Sequence, residues 1–439
     1  MTKNKLYRRI IGLADFIDEL GEYDYYNEAS NIAIKNYSVM IRYMKENIDR
    51  VNPAQYVKLY RLLNLHIIPN IRYIQRTETR NIPWSLISNL DEILKTELGK
   101  DYWLLFRPQW NFNYAVVTED LITYLTKILV LFFPTDKEKI RNIFTDEKIH
   151  IFSFPFLEKT NVLLNSIIGH EIGHFFHSKW ERDDYGQLKE RNTESLTTYY
   201  EGLLQADIVK PYENAEEGTK ILDGMYREIV SDIYGYFLFG PSLMFALFDV
   251  SEYLGEQTLP THDNGYYPSN KYRIRVMMKF LFANDKGVND LLKKSGECSV
   301  YLGKIIGEIG EYLREEDDVA LFIEKRKKEK ELFESSLPDI IEKIGNSMHI
   351  KYLKYENTDK LFANLEKNLP INELDYEPIN TMQIIFAGWI YFKKINEEYS
   401  GDDYVLNSQI LMRILLKSLH SSFINRDYNE KKKKKKERK

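Results

Sequence analysis

Apolar residues recur three and four positions apart along most of this chain, a spacing that predicts helices. Short runs of aromatic and β-branched residues are confined to about 100–155. In the first hundred residues the helical spacing marks four segments, 6–20, 30–48, 54–71 and 84–98, separated by turn residues. The texture then changes. Segments 102–108 and 114–118 predict a hairpin across the link at 109–113, followed by a helix at 120–133 and a strand at 149–154 that ends before Pro155.

The segment 161–180, NVLLNSIIGHEIGHFFHSKW, predicts the central helix. Thr160 or Asn161 can cap its start, and Val162, Leu164, Ile167, Ile168, Ile172, Phe175 and Phe176 form an apolar stripe. A polar stretch at 181–227, with helices at 194–206 and from about 216, reads as an insertion over the cleft. The next helix carries Glu228 and Asp232 four apart, then the uncharged run 233–248, until Gly240 and Pro241 stop it. Beyond 280 the chain returns to helices, among them the charged 315–334 and the apolar 383–395 and 409–423.

Within the central helix, His170 and His174 are four apart and so share one face, able to aim two imidazoles at one zinc ion. Glu171 stands beside them as the general base, placed to take a proton from water at the metal. His177, seven after His170, returns close to the same face. Three histidines on one straight helix would span about 10 Å, too far for one tetrahedral ion, so His177 is read as a neighbour of the site or a lining residue of the cleft. Catalytic zinc needs a third protein ligand, and an acid on a second helix is the simplest source. Acidic pairs four apart are common on solvated helices. Glu228 and Asp232, however, stand directly before sixteen uncharged residues, where a free carboxylate would be costly to bury.

Composition narrows the setting. The chain of 439 residues can bury a large core without disulfides, and its one cysteine, Cys298, excludes an internal disulfide and a cysteine-based zinc knuckle. That predicts a reducing, cytoplasmic location. The N-terminal apolar stretch meets Asp15 and Asp18 before reaching signal-peptide length, and the sixteen uncharged residues at 233–248 are broken by Gly235, Gly240 and Pro241, so neither export nor a membrane span is predicted. Net charge is −5, but 431–439 holds eight positive residues and one negative, which leaves the body at −12. An acidic body disfavours nucleic acid as the principal partner. The lysine run is expected to be a disordered, solubilising tail, its alternative a docking arm for nucleic acid or anionic lipid.

HExxH followed by Glu228 and Asp232 resembles the HExxH plus ExxxD arrangement of the gluzincin zinc metallopeptidases. By that resemblance Glu228 is the third zinc ligand, and Asp232 steadies a ligating histidine through its other ring nitrogen. Trp180 occupies the position ten after His170, which excludes the metzincin pattern. A third stretch, THDNGYYPSNKYRIRVM from Thr261, is similar to the His-Pro-x-x-x-x-Arg-Ile element of the HtpX-like and prenyl-protein peptidase branch, with Pro268, Ser269, Arg273 and Ile274 matching. Tyr267 stands where that branch has histidine, and His262 lies five residues earlier. Tyr267, His262 and Arg273 are therefore the candidates to steady the oxyanion of an attacked peptide carbonyl. Alternatively, Pro268 and Ser269 simply start a helix and Arg273 makes an ion pair. The resemblance spans about 110 residues and lacks the branch's hydrophobic spans; a looser similarity is to the ImmA and IrrE type of regulatory peptidase.

These readings predict a mainly helical α+β protein with a zincin-like core and a small sheet. A helical region at 1–100 precedes a catalytic domain at 101–285, and a helical region at 286–428 precedes the tail at 429–439. The strand at 149–154 is the candidate edge that pairs with an extended substrate, its alternative an ordinary core strand. The function expected is zinc-dependent hydrolysis of a peptide or protein substrate. The rival is a non-catalytic, zinc-stabilised interaction module.

Overall fold

The computed structural model describes residues 1–23, 25, 27–75, 77, 84–97, 99–117, 119–180, 184–205, 215–254, 268–314, 327–348, 355–371, 373–374, 377–378 and 380–437. It is mainly helical with a small three-stranded sheet, as expected. No helix among the described residues is long and apolar enough to cross a membrane. The chain forms two compact units, Met1–Thr160 and Asn161–Lys439. This boundary falls inside the region 101–285 expected as one domain, so the sheet and the HExxH helix belong to different units.

The first unit contains α1 (Lys3–Gly21), α2 (Glu28–Asn47), α3 (Tyr56–Leu62), α4 (Ile68–Gln75) and α5 (Trp84–Glu97), then β1 (Tyr102–Gln109) and β2 (Ala115–Val117). It ends with α6 (Leu121–Phe132), α7 (Lys137–Arg141) and β3 (Lys148–Pro155). Side-chain caps set several starts: Thr2, Asn27 and Asp120 accept from the amides of Lys5, Ala29 and Thr123. The core joins Leu6 and Ile10 of α1, Met40 and Ile41 of α2, Leu125 and Leu129 of α6, and Ile149 of β3.

Two expectations about the strands are corrected. β1 and β2 form no hairpin with each other: β1 runs parallel to β3, β2 antiparallel to it, and the sheet order is β1-β3-β2. The strand at 149–154 is therefore the centre of the sheet rather than an edge. Its burial explains this. Every residue of β3 after Lys148 is buried, so its backbone groups have no water on either side and are paired on both. β1 takes an edge, which tolerates Pro108. Its Leu104 is bonded through N–H to Asp91 and through C=O to Asn27.

The second unit contains α8 (Ile168–Trp180), α9 (Asp184–Gln205), α10 (Ala215–Phe239), α11 (Pro241–Leu254), α12 (Asn270–Val276), α13 (Lys286–Leu292) and α14 (Glu297–Arg314). It continues with α15 (Lys327–Ser347), α16 (Thr358–Glu366), the pair β4 (Glu373–Leu374) and β5 (Glu377–Pro378), α17 (Thr381–Glu398) and α18 (Gly401–Glu437). The helix expected from 161 opens instead with a tight turn, Leu164–Ile167, after Asn161 accepts from the Leu164 amide. Gly240 ends α10 with a φ of 60° and Pro241 begins α11, as their residue types require. Of the polar stretch read as an insertion, the described residues fold as α9 and the first half of α10. α9 packs against α10 and α15, with Asn192 donating to Leu332 O and within 2.6 Å of Tyr226 Oη. The tail expected to be disordered continues α18 as far as Glu437. After Gly401 that segment contains neither glycine nor proline, and lysine is a good helix former.

The axis of this unit is α10, which packs against α8, α9, α11 and α15. Its approach to α8 is unusually close. A Cβ placed on Gly173 would lie 2.6 Å from Ser231 Cα, and one on Gly235 would lie 2.9 Å from His170 N. Gly169 and Gly173, one turn apart on α8, thus meet Ser231 and Gly235, one turn apart on α10. Phe176 and Tyr234 stack beside this contact at 5.0 Å.

Gly173→Ala discriminates packing from helix propensity, because alanine should favour an isolated helix by about 1 kcal/mol. The expected result is the opposite sign: a loss of about 1–3 kcal/mol from overpacking, measured by denaturant titration. A stabilised variant would contradict the close contact.

Candidate metal centre

The packing of α8 on α10 brings His170, His174 and Glu228 together. One nitrogen or oxygen atom from each lies within 4.8 Å of the others, which makes these three the group that could hold a metal among the described residues. His170 Nε2 is 3.3 Å from Glu228 Oε2, and His174 Nε2 is 3.9 Å from Glu228 Oε1. The imidazoles meet edge to face, 4.6 Å between centroids. His170 and Glu228 are buried and His174 is half-buried. Two imidazole nitrogens and a carboxylate converging at a largely buried point are a donor set that suits a divalent transition metal.

The far side of each ring is also held. Asp232 Oδ1 accepts from His170 Nδ1 at 2.8 Å. Asp232, fully buried, is gripped side-on by Arg273, with Nε to Oδ2 and Nη2 to Oδ1 both at 2.7 Å. Arg273 Nη1 donates to Asn270 Oδ1 at 3.2 Å, and Nη2 lies 3.0 Å from His170 Nδ1 and 3.4 Å from its Nε2. This is the ion pair that the sequence offers as the alternative to an oxyanion role. Ser269 likewise caps α12 by accepting from the Tyr272 amide. Tyr267 and His262, the other oxyanion candidates, lie outside the described residues. Glu171 is half-buried next to His170, and its charge acts on Arg273. His177 is buried on α8 but is not one of the three convergent residues.

Three features escaped the sequence reading. Ser231 Oγ lies 2.9 Å from His174 Nδ1. Arg227, half-exposed, donates from Nε to Glu228 Oε1 at 3.3 Å. The glycine contact between the helices is the third, and the four-residue spacing of Gly169 with Gly173 and of Ser231 with Gly235 is the signal that reveals it. No family model, no curated protein and no solved structure matches the chain.

Burial divides the two histidines. For His170, burial and the Arg273 charge press downward, but Asp232 and Glu228 outweigh them and raise its pKa to about 9. For His174, burial and then the neighbouring His170 charge lower it to about 3. Burial works against ionising Glu228 and Asp232, yet His170 holds the first carboxyl, and Arg273 followed by His170 the second, below the usual range. The two shifts therefore favour a proton on His170 over one on His174.

Against an ordinary histidine pKa of about 6.5, the raised His170 contributes stability that is complete below that value and is lost as pH rises through about 9. The lowered His174 contributes stability present above about 6.5 and lost as pH falls toward about 3. In chelator-treated protein the thermal midpoint should therefore fall on raising pH from 6.5 to 9, and His170→Gln should flatten that limb. Metal uptake at neutral pH should release about one proton, read with an indicator dye in weak buffer. No proton release on metal uptake would contradict the charge assignment of His170.

Proposed function

We propose that this chain is a zinc-dependent metallopeptidase of the gluzincin kind, with His170, His174 and Glu228 as the ligands of the ion. The observation that carries this reading is the convergence of those three residues within 4.8 Å, with Asp232 on His170 Nδ1. Zinc held there supplies an acidified water and polarises a substrate carbonyl. His170 and His174 present nitrogen and Glu228 presents oxygen. Asp232 accepts the Nδ1 proton of His170 and so fixes that ring's orientation, while Arg273 keeps Asp232 ionised in its buried position.

Glu171 is the proton carrier. Its carboxylate takes the proton from the attacking water and delivers it to the leaving amine nitrogen. Because Arg273 is engaged by Asp232, the oxyanion role falls in this reading to Tyr267 or His262. The substrate is a peptide or protein, and the setting is cytoplasmic.

The test is metal content beside activity. After dialysis against metal-free buffer, elemental mass spectrometry should find close to stoichiometric zinc in the wild type and little in Glu228→Ala. Glu171→Gln should keep its zinc and lose at least about 100-fold in hydrolysis of an unstructured peptide pool. A folded, zinc-supplemented wild type without zinc would refute the metal assignment. Zinc with no hydrolysis would point to the metal-stabilised interaction module, and wild-type turnover by Glu171→Gln would remove Glu171 from the chemistry.

A further inference from the structure

Ser231 lies outside the three convergent residues, yet its hydroxyl is placed between one of them and the backbone. Its Oγ donates to Arg227 O at 2.7 Å and lies 2.9 Å from His174 Nδ1. A serine hydroxyl has one proton to give, and a peptide carbonyl can only accept. With that proton on Arg227 O, Ser231 Oγ faces His174 with a lone pair, and the imidazole proton belongs on Nδ1. Nε2, the nitrogen nearer Glu228, is then left with its lone pair.

We propose that Ser231 is a positioning residue that holds His174 in its Nδ1–H form and so keeps Nε2 available to a metal ion. If the hydroxyl turned and donated to Nδ1, the imidazole proton would move to Nε2 and block the metal-facing lone pair. Two features oppose that turn. The acceptor at Arg227 O lies one helical turn back on the same helix, at fixed distance. Ser231 is also completely buried, its backbone pressed against Gly173 one residue from His174, so the hydroxyl has no water to bond instead.

The two histidines are thus held by different chemistry. His170 has an ionised partner, Asp232, which can only accept and needs no further control. His174 has a neutral partner that could act either way, and the Arg227 carbonyl sets its direction.

This inference rests on the reading of His170, His174 and Glu228 as a metal site and is independent of peptide hydrolysis. The test uses full-length wild type and Ser231→Ala, labelled with ¹⁵N-histidine, with the His174 signals assigned by their loss in His174→Gln. In metal-free wild type at neutral pH, two-bond ¹H–¹⁵N correlations should show His174 protonated at Nδ1. In Ser231→Ala, the signal should move to the Nε2–H form. Zinc affinity, measured against a chromophoric chelator, should fall roughly 10- to 100-fold, the usual cost of losing a ligand's supporting partner. His174 remaining Nδ1–H in Ser231→Ala, or an unchanged zinc affinity in that variant, overturns the proposal. A wild type that binds no zinc refutes the metal site itself, and the tautomer measurement still decides the role of Ser231.

Discussion

The second unit depends on one contact, the approach of α8 to α10 over glycine. Where two helices normally stand 8–10 Å apart, side chains on the facing surfaces keep the backbones away from each other. Here Gly169 and Gly173 offer no side chain, and Ser231 and Gly235 offer little or none. The backbones therefore close until the short reach of histidine on one helix overlaps that of glutamate on the other. Gly173 is also one of the two unspecified positions inside the HExxH pattern. Its role is to let the partner helix in, and the convergence of His170, His174 and Glu228 follows from it.

Closeness brings the electrostatic difficulty that the rest of the site resolves. Two carboxylates and a guanidinium, all buried, would be costly alone. Their charges come in compensating order: Arg273 beside Asp232, Asp232 beside His170, His170 beside Glu228. With a proton on His170 the four groups sum to zero. A divalent ion in place of that proton would add one positive charge, with the Glu171 side chain close by. Without that ion the network is already balanced, which offsets the cost of burying its charges.

Much of this was legible in the sequence, and the illegible part has a common cause. His170, His174, Glu228 and Asp232 are read from spacing because each pair lies on a single helix, where four residues mean one face. The stops at Gly240 and Pro241 are read from backbone chemistry for the same local reason. Arg273 is visible as part of a motif, but its partner, 41 residues away, depends on how α12 packs, which periodicity does not encode. The pairing of β1 and β2 with β3 rather than with each other is a non-local choice of the same kind. Sequence marks three good strands and leaves open which is most buried, and burial decided the order. The helix through the lysine run follows from continuity with the segment before it, which charge and composition alone do not encode.

The division of the chain at Thr160 carries a different kind of consequence. The convergent residues His170, His174 and Glu228, with Ser231, Asp232 and Arg273 beside them, all belong to the second unit. The three converging side chains and the groups that hold them are thus all encoded in the stretch 161–439.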